Sequence, residues 1–263
     1  MSDMRVREFW DGRALDPAND DSQVTHRDVW QRWLEIETIR RYLKPTDRLL
    51  DVGCGAGYTT LRIAGEVAEA VGVDFSDEMV ARAVKAAGRD GTAGVRFEAG
   101  DVLTLSPERL GLFDVALSSR CLINLPDWAA QQQAIARVAA LLKPGGRFIF
   151  VEGLADGRDR LNQVRVEMGL EAMPRVWHNV DFVEAELLPW LGRYFTTLDR
   201  RHFGVYDFIA RVIHPLVVAP DAPVYDARIN EIAARAALVR QDCGDVSRVI
   251  FLVLERKTDG QTD

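Results

Sequence analysis

Cysteine is scarce in this chain. The three present in 263 residues, Cys54, Cys121 and Cys243, lie far apart and form no CxxC pair. That argues against a disulfide framework and against a zinc site of the usual spacing, so no metal is expected. Long apolar runs are also missing. None approaches the roughly twenty residues that a membrane span needs, and the start, Met1-Ser2-Asp3-Met4-Arg5, lacks the apolar core of a secretory signal. Positive charge is in deficit, with a formal net charge of −7. A protein that grips nucleic acid through phosphates carries a basic balance or stripe. Here the arginines between Arg158 and Arg211 are interspersed with acids. The expectation is a soluble cytoplasmic protein that handles a small molecule, not nucleic acid or membrane.

What is present is an alternation of strands and helices. Asp28 to Leu43 reads as an amphipathic helix, with Trp33, Ile36, Ile39 and Leu43 on one face. Strands are expected at Arg48–Val52, Ala70–Val73, Val95–Ala99, Phe113–Ser118 and Arg147–Glu152, with helices at Tyr58–Glu69, from Ser76 to about Gly88, and from Asp127 to Leu142. Ser76 and Asp127 suit helix caps. Repeated strand–helix units predict a parallel sheet covered on both faces. Residues 1–27 look polar and irregular. The apolar run Val249–Leu254 reads as a strand buried inside the sheet. Segments 153–180 and 205–246 are too long for plain connections and are expected to fold over the carboxyl edge of the sheet as helical caps.

The chemistry concentrates at Leu49-Leu50-Asp51-Val52-Gly53-Cys54-Gly55-Ala56-Gly57. An apolar strand ends in an acid, and glycines follow at alternating positions before a helix begins. Glycine lets the backbone approach a ligand without an intruding Cβ. The dinucleotide fingerprint G-x-G-x-x-G would need glycine where Tyr58 stands. An acid at Asp51 suits an ammonium group better than a phosphate. Asp74, ending the second strand, can accept from two ribose hydroxyls, and Asp101 follows the third strand where an adenine amino group would lie. This favours S-adenosylmethionine (SAM) as cofactor over a nicotinamide dinucleotide.

The ordered segments LLDVGCGAG, VGVDFS, EAGDVL, FDVALSS and LLKPGGRFIFVE resemble the motifs of class I SAM-dependent methyltransferases over about residues 45–155. The resemblance implies a Rossmann-like, doubly wound α/β fold with a seven-stranded sheet whose last strand is antiparallel. It implies that Asp51, Gly53 and Gly55 surround the methionine portion of SAM. Asp74, with Phe75 beside it, would bind ribose, and Asp101 and Val102 would meet adenine. Ser119 and Arg120 would face cofactor and substrate. It also implies that the segment 1–44 covers the cofactor site, with 45–263 forming the methyltransferase domain. The flanking pieces WQRWLEIETI and WHN are similar, more loosely, to methyltransferases of bacterial polysaccharide and natural-product pathways.

A hydroxyl acceptor needs a base to take its proton, and histidine suits that task near neutral pH. His178, in Trp177-His178-Asn179, combines a base with an aromatic and an amide that could form a substrate wall. Its alternative is an ordinary loop histidine. His26 precedes the N-terminal helix and is the second candidate base, with a capping or surface role as its alternative. His202 reads as structural, and His214 could line the second cap. Arg120 could hold a carboxylate or phosphate, or pair with a nearby acid. Asn124 reads mainly as a turn residue. Trp10 lies outside any periodic pattern and could cover the cofactor or pack on the surface. The stretch His214–Pro220 could be a pocket wall or a homodimer contact. The favoured activity is O-methylation of a sugar or natural-product hydroxyl. N- or C-methylation of a small metabolite and non-catalytic binding of SAM or its product S-adenosylhomocysteine (SAH) stand as alternatives.

Overall fold

A computed structural model of the chain describes residues 4–21 and 23–258. Its strands are β1 (Arg48–Val52), β2 (Glu69–Asp74), β3 (Val95–Ala99), β4 (Phe113–Ser119), β5 (Leu142–Gly153), β6 (Phe195–His202) and β7 (Val249–Arg256). Helices α1 (Met4–Leu15) and α2 (Val29–Arg40) precede the sheet. Within the alternating region lie α3 (Tyr58–Ile63), α4 (Asp77–Asp90), α5 (Pro107–Leu110) and α6 (Trp128–Leu141). The remainder are α7 (Ala155–Glu167), α8 (Glu184–Leu191), α9 (Gly204–Phe208), α10 (His214–Val218) and α11 (Arg228–Val239). The strands form one sheet in the order β3-β2-β1-β4-β5-β7-β6. β1 to β5 pair in parallel, while β7 runs antiparallel to both β5 and β6. This is the expected doubly wound sheet with an antiparallel last strand.

Neighbouring strand residues point to opposite faces, so strands covered on both sides must be apolar throughout. Leu49, Leu117, Ile149, Val151 and Phe251 pack with α2, α9 and α11. Leu50, Ala116, Phe148, Phe150 and Leu252 pack on the other face with α6 and α8. Each large side chain so buried contributes about 1.5–3 kcal/mol. The expected caps hold, Ser76 accepting from Met79 N–H and Asp127 from Ala130 N–H, and Asp28 likewise accepts from Gln31 N–H. Strand order reverses between β1 and β4, which opens a crevice at their carboxyl ends.

Two expectations are corrected. The N-terminal segment is not irregular, because Met4–Leu15 is helical. Its sequence lacks an apolar stripe, and Val6 is its one buried residue. Trp10 and Ala14 pack on Val24, Ala56 and Met79, and polar contacts add to this. Arg82 of α4 donates to Ala14 O at 2.9 Å and to Asp21 at 2.6 Å, and Arg13 donates to Val24 O at 2.8 Å. The long insertions also sit elsewhere than expected. α9 and α11 pack against α2, and α7 packs on the turn Gly244–Val246. α9 and α11 buttress α2 from behind, His178 of the first segment packs on α1, and no residue of either segment lines the crevice described below.

Candidate active site

The crevice is a cleft of about 1080 Å³, mouth included, at the carboxyl ends of β1 to β4. One half is built by the strand tips. Gly53 and Gly55 have φ of +72° and +53°, and a Cβ on Gly53 would fall 2.2 Å from Cys121 Sγ. At Gly55 the nearest atom would be Thr25 Cγ2, at 2.7 Å. Both the backbone conformation and the space therefore require glycine. Asp51 is buried at the tip of β1, where Thr60 Oγ1 donates to it at 2.6 Å. Burial lifts its carboxyl to about 7, against the opposing pull of Thr60. Asp74, buried at the tip of β2, accepts from Gly55 N–H at 2.8 Å and Ser76 N–H at 3.0 Å. Burial raises it to about 6. Phe75, Met79, Val102 and Leu105 add apolar lining, and Asp101 reaches the same cleft. Asp101 also accepts from Leu103 N–H at 3.0 Å.

The other half comes from the N-terminal segment and the bend after β4. Trp10, Thr25, His26, Arg32 and Glu35 face Ser119, Arg120, Cys121 and Asn124. Arg120, with an unusual φ of +55°, points its guanidinium at the buried carboxylate of Glu35. Burial pushes the Glu35 carboxyl up, while Arg120 and Arg32 pull it down. Arg32 donates to Thr25 Oγ1 at 2.5 Å and stacks 4.2 Å from the Tyr58 ring. Nδ1 of His26 is buried and has no hydrogen-bond partner among the described residues. Burial, then the charges of Arg120, Arg32, Arg211 and Arg248, hold this imidazole well below its usual pKa. His26 is thus a neutral base at neutral pH. Trp10 Nε1 donates to Asn124 Oδ1 at 3.2 Å, which ties α1 across the mouth to the β4 bend.

Of the residues singled out from sequence, Asp51, Gly53, Gly55, Asp74, Phe75, Asp101, Val102, Ser119, Arg120 and His26 come together in this cleft. Trp177, His178 and Asn179 do not line it. His178 stacks behind the lid, 4.6 Å from Phe9 and 5.4 Å from Trp10, and Trp177 is 57% exposed. α1 interposes between them and the cleft. His214 is a core residue bonded to Asn230 at 3.0 Å, and His202 accepts from Arg200 Nε at 3.2 Å. Sequence reading missed Arg32 and Glu35. A signal existed: Asp28, Gln31, Arg32, Glu35 and Thr38 recur at helical spacing and are all buried, a polar stripe facing inward.

The donor set fits SAM: buried acids for its ammonium and ribose diol, a side-chain-free bend for its tail, and apolar lining beside Asp101 for its adenine. A profile described as a methyltransferase domain matches residues 49–146. Residues 49–146 therefore carry a methyltransferase domain of the class I SAM-dependent kind. It is 33% identical over 147 residues to a ubiquinone biosynthesis O-methyltransferase of Xanthomonas oryzae pv. oryzae, covering 55% of this chain and 60% of that protein. It is 36% identical over 108 residues to the uncharacterized methyltransferase YcgJ of Bacillus subtilis, covering 41% of each. In fold it is similar to the N-methyltransferase NodS of Bradyrhizobium japonicum in complex with SAH, with a TM-score of 0.59 and 17% identity over 97% of this chain and 99% of that one. The chain spans about 60% of the length of the first of these curated relatives. Among the described residues no helix is long and apolar enough to cross a membrane, and no His/Cys/Asp/Glu cluster suits a metal ion.

Proposed function

We propose that this methyltransferase transfers the methyl group of SAM to a hydroxyl of a small polar acceptor, with His26 as the proton-accepting base. SAM supplies an electrophilic methyl carbon on a sulfonium. The protein's work is alignment, water exclusion and removal of one proton. Asp51 holds the amino-acid tail and Asp74 the ribose, so that the reacting carbon faces the half-cleft of Thr25, His26, Arg32, Glu35 and Arg120. His26 takes the acceptor proton on its imidazole. Arg120, held by Glu35, stabilises negative charge growing on the acceptor oxygen.

The observation that carries this reading is His26 on the cleft wall, its imidazole held neutral and its buried Nδ1 left without a hydrogen-bond partner among the described residues. The character of that half supports a polar acceptor such as a sugar. Charged and hydroxyl side chains line it, with Trp10 as its aromatic. A long isoprenoid would find few apolar partners there. Incubating the protein with SAM and a panel of sugars and hydroxylated natural products, and following SAH release, tests the reading. His26→Gln is expected to lower turnover by about 10²–10⁴-fold with SAH affinity kept. Full turnover in that variant removes His26 as the base.

A further inference from the structure

We propose that Glu152 is the positioning residue of the acceptor half-cleft, its carboxylate gathering the β4 bend that presents Arg120 and Asn124. This rests on the methyl-transfer reading only for what that half binds. Glu152 is fully buried near the end of β5, and no ion pair joins it among the described residues. Its charge is met by donors from one short stretch. Oε1 accepts from the N–H groups of Cys121 at 3.2 Å and Leu122 at 3.1 Å, and from the Ser118 hydroxyl. Oε2 accepts from Ile123 N–H at 3.3 Å. Three consecutive amides converging on one carboxylate form a rigid anion nest.

The bend so fixed is one the chain would not adopt readily. Arg120 sits at φ +55°, a conformation that costs about 1–3 kcal/mol in a non-glycine residue and persists only where its surroundings over-determine it. Arg120 N–H bonds to Val151 O at 2.9 Å, and its carbonyl accepts from Asn124 Nδ2 at 2.8 Å. From this bend the guanidinium reaches Glu35 of α2, and Asn124 Oδ1 receives the indole of Trp10 on α1. Glu152 therefore sits beneath the point where α1, α2 and the sheet meet around the acceptor. An apolar residue would fill this buried place without the several kcal/mol that desolvating a lone charge costs. Purely structural packing gives no reason for an acid. Leu122 and Ile123 already supply the apolar anchor of the bend.

The test needs no known acceptor. At pH 8, Glu152→Gln keeps the Oε1 acceptances but turns an N–H toward the Ile123 amide, and Glu152→Leu removes every acceptance. Amide exchange of the peptide around residues 119–125 is read by mass spectrometry, and the Trp10 indole N–H by NMR. Protection is expected to fall about tenfold in Glu152→Gln and further in Glu152→Leu, with the Trp10 resonance shifted. SAH affinity should stay within about threefold of the wild type, because Asp51 and Asp74 are untouched. Loop protection and the Trp10 resonance unchanged in Glu152→Gln would overturn the proposal, since packing alone would then fix the bend. Absence of SAH binding in the wild type would instead strike the methyl-transfer reading, leaving the loop result to stand by itself. Once an acceptor is found, Glu152→Gln should raise its KM or lower kcat while KM for SAM is kept.

Discussion

Lowering the pH from 8 to 6 should weaken SAH binding, and the size follows from two carboxyls. Asp51 and Asp74 titrate near 7 and 6 in the free protein because burial opposes their charge. In the proposed complex an ammonium beside Asp51 and ribose hydroxyls on Asp74 would favour the charged forms. Bound SAH therefore expels protons. At pH 6, Asp51 protonation alone reduces apparent affinity about tenfold and Asp74 about twofold. Together that is about twentyfold, or roughly 1.8 kcal/mol. Calorimetry in two buffers of different ionisation enthalpy measures both the affinity and the protons released. Asp51→Asn should bind more weakly at pH 8 and lose most of the pH dependence. For the ligand-free protein the sign is opposite. Both folded pKa values exceed those of the unfolded chain, so the folded state binds protons first and gains stability as pH falls from about 7 towards 4. Proton uptake on binding, or an affinity that is flat from pH 8 to 6, would refute this reasoning.

Other outcomes follow from the same geometry. Gly53→Ala places a Cβ 2.2 Å from Cys121 Sγ at φ +72°. Left-handed strain and overpacking should together cost about 2–5 kcal/mol, seen in urea unfolding, and a second change, Cys121→Gly, should recover the steric part. His178→Ala removes a ring stacked on Phe9 and Trp10. It should lower stability by about 1 kcal/mol and leave turnover within about threefold. A hundredfold loss of turnover at unchanged stability would return His178 to the role of base.

The parallel core was legible because its signals are local. The apolar strands, the glycine bend after β1 and the acids at or just past the tips of β1, β2 and β3 lie within short windows, and β1 and β3 have the bounds that their residues suggest. The helix Met4–Leu15 was not, because tertiary contacts, polar ones from Arg82 among them, replace the apolar stripe that periodicity detects. The same limit hid the acceptor half of the cleft. Arg32 and Glu35 lie on α2, and their place in the cleft depends on Arg120 and Tyr58, far off in sequence, packing against them. His178 drew attention through its neighbours Trp177 and Asn179, whereas its position behind α1 depends on chain crossings that no local window contains. The long segments looked like caps from length alone. Length says that a segment must pack somewhere, but not on which side of α2.

The central claim is that acids at the strand tips hold SAM with its reactive carbon turned towards His26 and Arg120. A crystal structure of the complex with SAH tests it most directly. The account predicts the amino-acid tail at Asp51, the ribose on Asp74, the adenine beside Asp101, and the sulfur open to the imidazole of His26. A nucleoside seated elsewhere, or a sulfur facing away from Thr25, His26 and Arg120, would contradict it.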